Sequence, residues 1–278
     1  MSLLIPLVLV GLVAAALLGL AASQRRLIYP GAYEAALRQV SPRVPAGTEP
    51  VAIGTADGER LFGLWRAPEP GCAVVLSFHG NASRPDAHAK RFLEAPWAAQ
   101  GWGVLAIAYR GYPGSTGRPS ETGLIADGEA AYREVARRAP GAGILLHGHS
   151  LGAAVAVAVG ESRPHLGLYL EAPFDSLAHL VRLLVPFAPG WLLRDTFRSD
   201  LRIAGASAPV LIVHGTKDPV IPLKLARKLA EAAGPAARLS VLTGDHVSIL
   251  GTLDIEAERR FRPAARAGCA TATQAGAR

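Results

Sequence analysis

The chain has 278 residues, half of them apolar, which is enough for one large α/β domain whose core needs no crosslinks. Its net charge of +7 comes from scattered arginines rather than from a basic stripe interleaved with aromatics, so nucleic acid is excluded as a partner class. Two cysteines, Cys72 and Cys269, stand outside any CxxC pair; they make no disulfide framework and leave the redox compartment open.

Residues 3–22 contain no charged side chain and are dominated by Leu, Val and Ala. About twenty such residues suffice to cross the hydrocarbon core of a bilayer. The run has no polar face, which argues against a buried core helix. Nothing basic precedes it, which argues against a cleaved signal peptide, although Gly19-Leu20-Ala21 would serve as a cleavage site. The expectation is an uncleaved hydrophobic anchor over residues 1–26, with the membrane as its partner. Arg25 and Arg26 follow the run directly, and the positive-inside rule puts that flank, and with it the catalytic domain, in the cytoplasm. Residues 27–50, with Pro30, Pro42, Pro45 and Pro50, read as a linker.

From Val51 the texture changes. Short apolar runs predict strands at Arg60–Trp65, Ala73–Phe78, Gly103–Tyr109, Gly143–His147, Gly167–Leu170, Pro209–Val213 and Arg238–Leu242. Between them lie predicted helices near Asp86–Ala99, Ser120–Arg138, Ser150–Ser162, Leu223–Ala233 and Val247–Phe261. Strands alternating with helices imply a mostly parallel sheet covered on both faces, spanning 51–262. One interval, 174–206, breaks the alternation: it is apolar but interrupted by Pro186, Pro189 and Gly190. It reads either as a plain crossover or as a small helical cap over a site, and the cap is the expectation. Residues 263–278 read as a frayed tail.

Gly148-His149-Ser150-Leu151-Gly152 is a G-x-S-x-G pattern between a predicted strand and a predicted helix, the context a nucleophile elbow requires. A sharp turn there forces the serine into a strained backbone conformation and tolerates only small residues two positions away. A serine hydroxyl needs a base to take its proton and an acid to orient that base. In sheets of this kind they follow in the order Ser, Asp, His. Asp218 lies just after the strand ending in Val213-His214-Gly215, and His246 just after the next one. Asp175 is the rival acid; Asp245 adjoins His246 too closely to orient it. His149 is expected to point away from the nucleophile. The oxyanion hole is expected from the backbone N–H groups of Leu151, at a helix N-terminus, and Asn81, after the strand ending at Phe78. No metal-ligand spacing such as H-E-x-x-H is present, and the chemistry needs no cofactor.

Further segments carry a resemblance. Leu27-Ile28-Tyr29-Pro30, His79-Gly80-Asn81-Ala82, the run Tyr109–Gly117, Pro119–Leu124, Glu171-Ala172-Pro173-Phe174 and His214-Gly215-Thr216-Lys217-Asp218 together resemble the α/β-hydrolase superfamily. The resemblance is to its membrane-anchored branch of depalmitoylase-like and lysophospholipase-like hydrolases. It departs at Gly244-Asp245-His246, where the branch has two small residues before the histidine. The resemblance implies an α/β-hydrolase fold and a serine ester or thioester hydrolase that acts on a small acyl substrate, lipid or acylated protein. A peptidase on the same fold, or a non-catalytic binding protein that keeps the shell, is the alternative.

Overall fold

The computed structural model describes residues 4–38, 40–186, 189–265 and 269. Its centre is an eight-stranded sheet. The strands are β1 (Glu49–Gly54), β2 (Arg60–Arg66), β3 (Val74–Phe78), β4 (Gly103–Ile107), β5 (Ile144–His149), β6 (Gly167–Glu171), β7 (Val210–Gly215) and β8 (Ala237–Leu242). They lie in the order β1-β2-β4-β3-β5-β6-β7-β8. β2 pairs antiparallel with both β1 and β4, and every other pairing is parallel. The order reverses at β3, with β4 on one side and β5 on the other, and the crevice outside such a switch point is where open α/β sheets bind ligands.

The parallel strands are buried on both faces because helices cover both. Successive strand residues point to opposite sides. Val75, Leu145, Tyr169 and Leu211 therefore share one cluster with Phe92 of α3 (Pro85–Phe92) and Phe261 of α9 (Asp254–Ala265). Val74, Leu76, Leu146, Leu170 and Ile212 face the other way, toward α4 (Glu121–Arg138), α5 (Leu151–Ser162) and α8 (Leu223–Ala233). α5 is apolar all round from Leu151 to Val159, and those residues lie buried against the sheet.

At the N-terminus α1 (Leu4–Ile28) is a single 25-residue helix, and α2 (Pro30–Arg38) follows within the segment read as a linker. Pro30 opens α2 at the one helical position where its missing N–H costs nothing. Among the described residues no helix is long and apolar enough to cross a membrane. The side chains of residues 4–10, 13, 14 and 16 lie outside those described, so the uncharged run of α1 is represented only in part.

The interval 174–206 holds α6 (Leu177–Leu184), a short 3₁₀ turn at Gly190–Leu192 and α7 (Ser199–Arg202). Two other expectations shift. The helix expected from Val247 starts at Asp254, because Gly251 at φ +76° turns the chain first. The two cysteines are joined in a Cys72–Cys269 disulfide across 197 residues, a pairing with no local sign in the chain. Of the expected tail, 263–265 continue α9, whereas 266–268 and 270–278 lie outside the described residues.

Candidate active site

Ser150 sits between β5 and α5 at φ +55°, ψ −119°, one of the few non-glycine residues with positive φ. This is the strained turn expected of it. A Cβ at Gly148 would come within 2.3 Å of the Gly152 carbonyl oxygen, and one at Gly152 within 2.1 Å of that of Phe78. Both glycines are thus dictated by backbone packed against backbone. The turn is pinned by the Ser150 N–H, which donates to the Glu171 carbonyl at 2.9 Å.

Asp218 and His246 are brought together. The His246 Nδ1–H donates to Asp218 Oδ2 at 2.7 Å, which leaves Nε2 to accept a proton. Burial works to raise the Asp218 pKa. The hydrogen bonds from His246 and from the Ile221 and Val220 N–H groups outweigh it and hold the carboxyl below its ordinary range. Asp245 instead caps its own loop, accepting from the N–H groups of Val247 and Ser248. Asp175 pairs with His179 on α6, away from His246.

Ser150, Leu151 and Asn81 line one cavity of about 450 Å³. Leu151 opens α5, and Asn81 follows β3. The Asn81 side chain donates to the Ile28 carbonyl at 3.1 Å, and its own carbonyl accepts from Tyr112 Oη at 2.7 Å. The remaining lining is mostly apolar and comes from α6, the 189–193 segment and the last turns of α1. Among the described hydrogen bonds, none joins Ser150 Oγ to His246 directly.

His149, expected to point away from the nucleophile, packs against His246. Its Nε2–H donates to the His246 carbonyl at 3.1 Å, and the two rings lie 4.9 Å apart. Burial, reinforced by the neighbouring His246 ring, pushes the His149 pKa down to about 4, so it is a neutral donor at physiological pH. Beneath it lies a polar network the sequence did not reveal. The fully buried Glu171 accepts from Arg91 at 2.5 Å, from His147 Nε2 at 2.9 Å and from the Gly251 N–H at 2.9 Å. Arg91 also pairs with Asp254 at 2.8 Å. Glu171 thereby ties the nucleophile turn to the segment that follows His246.

A serine in a strained strand-to-helix turn at the switch point of this sheet defines a hydrolase of the α/β type. The comparisons agree. A family model described as "Serine aminopeptidase, S33" matches residues 69–195, and one described as "TAP-like protein" matches 191–253. The Mycobacterium tuberculosis protein Rv2307c is 38% identical over 248 residues, 86% of either chain. The lysophosphatidylserine lipase ABHD12 of Macaca fascicularis is 31% identical over 183 residues, covering 59% of this chain and 46% of that protein. The Pyrococcus furiosus esterase Pf2001 superposes with a TM-score of 0.63 at 20% identity, covering 83% of this chain and 98% of that one; at that identity the likeness speaks for the fold alone. The chain belongs to the α/β-hydrolase family of serine hydrolases.

Proposed function

We propose that the chain hydrolyses carboxylic esters or thioesters of acyl chains by way of an acyl-enzyme. Ser150 Oγ attacks the acyl carbonyl while His246 Nε2 takes its proton. Asp218 holds the imidazole and stabilises the imidazolium that forms. The negative charge on the carbonyl oxygen is met by the Leu151 and Asn81 N–H groups. As the tetrahedral intermediate collapses, His246 gives its proton to the departing alcohol or thiol. It then takes one from the water that attacks the acyl-serine. The observation that carries this reading is the Asp218–His246 pair at 2.7 Å, whose histidine backbone accepts from His149, the sequence neighbour of a strained serine that lines an apolar cavity. Substrate-competent geometry in such sites commonly tightens only in the Michaelis complex. The apolar lining favours an acyl chain over a peptide, and the named lipase activity of the ABHD12 relative supports a lipid-like substrate.

The same reading takes α1 as a membrane anchor, supported by the absence of charge over residues 4–22 and by Arg25 and Arg26 at its end. The test of the chemistry is direct. A fluorophosphonate should modify a single site in the folded protein, and peptide mapping should put it on Ser150. Modification elsewhere, or none, would remove the serine mechanism.

A further inference from the structure

α1 does more than lead into the fold. Its last turns form a wall of the cavity, with Leu20, Gln24, Leu27 and Ile28 facing α6 across it. Polar contacts fix this wall from Ile28 back to Gln24. At the reactive end, Asn81 Nδ2 holds the Ile28 carbonyl at 3.1 Å, and the Gly31 N–H donates back to the Asn81 carbonyl at 3.2 Å. Midway along it Gln24, though polar, is 7% exposed and engaged with the 192–194 segment. Its Nε2 donates to the Leu192 carbonyl at 3.2 Å, and its Oε1 accepts from the Arg194 N–H at 2.9 Å. Next to it the buried Asp195 accepts from Tyr29 Oη at 3.0 Å, from Arg25 Nε at 3.2 Å and from the Glu121 N–H at 3.1 Å. A segment that served only as a tether would need none of this.

We propose that the last turns of α1, from Leu20 to Ile28, are the specificity-determining wall of the acyl pocket. An acyl group with its carbonyl at Ser150 runs its chain between α1 and α6, from Ile28 toward Leu20. The proposal rests on the reading of Ser150 as the nucleophile. Ile28 lies beside Asn81, whereas Leu20 lies eight residues away, about 12 Å along the helix axis. The two ends therefore meet different parts of the chain. Ile28 meets the carbons next to the carbonyl and Leu20 those near the tail, so chain length is read at Leu20.

The experiment is a series of p-nitrophenyl esters from butyrate to dodecanoate, assayed with the full chain in detergent. Leu20→Trp fills the far end and should lower the decanoate-to-butyrate ratio of kcat/KM about tenfold, the effect of excluding roughly two methylenes. Leu20→Ala opens the same end and should move the optimum to longer esters, so the result does not hang on one variant folding well. Leu12→Trp lies on the same helix, exposed and away from the cavity, and should keep the parent profile. A general loosening of the fold would scale all esters together and leave the ratio unmoved. An unmoved ratio in both Leu20 variants, with Ser150→Ala abolishing hydrolysis, overturns the wall and leaves the nucleophile standing. A parent with no ester hydrolysis and no fluorophosphonate adduct overturns both.

Discussion

Ser150, the proposed nucleophile, has little conformational freedom. Its φ of +55° is held by a hydrogen bond to Glu171 and by two glycines whose Cβ positions are filled by backbone. Ser150→Ala and His246→Ala should each lower kcat on the order of 10⁶-fold, the loss seen when such a unit is broken at either point. Asp218→Asn should cost less, on the order of 10⁴-fold, since geometry survives and tautomer control does not. Asp175→Asn should be mild, because that carboxylate faces His179. Steady-state kinetics on one ester separates the cases, and the reverse ranking of the two aspartates would reassign the acid. The strained turn at Ser150 and the pairing of Asp218 with His246 were legible because each residue sits at a strand end marked by a local pattern. His149 and the Glu171–Arg91 network were not. Their partners come together only when β5, β6, α3 and the segment after β8 are assembled, and no spacing in the chain encodes that meeting.

At the scale of elements, the parallel strands could be read because burial on both faces makes them continuous apolar runs. β1 was missed. It buries only Val51 and Ile53 among Glu49–Gly54 and contains Pro50, a composition that only an edge strand accepts. α1 was legible as an apolar run and illegible as a wall, since its partners at Leu192, Arg194 and Asp195 lie some 170 residues on. As an anchor it makes its own prediction. The full chain should stay in the membrane fraction through a carbonate wash, since burial of an uncharged span resists salt and base alike. Recovery in the supernatant, or a mature N-terminus near Ala22, would rule the anchor out.

The whole molecule carries an unusual load of buried imidazole. Burial pushes His79 and His149 each down to about 4, and drives His88 well below its ordinary value. Unfolding releases these rings to a pKa near 6.5. Because the folded values are depressed, the stability they contribute is complete above pH 6.5. It is lost as pH falls toward 4, where the unfolded chain binds protons that the folded one refuses. His79 and His149 together should cost roughly 4 kcal/mol between pH 7.5 and pH 5. The buried Asp127, pushed up to about 6, opposes part of that loss, so the urea midpoint should still fall over the range; a rising midpoint would mean that these rings are not buried in neutral form.

The contacts between α1 and residues 192–195 also set an order of events in time. Translation delivers roughly 5–20 residues per second. The partners of Gln24 and Arg25, 168 and 170 positions downstream, therefore reach them on the order of ten to thirty seconds after α1 has been made. During that interval the wall of the cavity stands without its opposite side. On the proposed mechanism Ser150 leaves the ribosome before the base His246 has been made, so no acyl group can be turned over until the chain is complete.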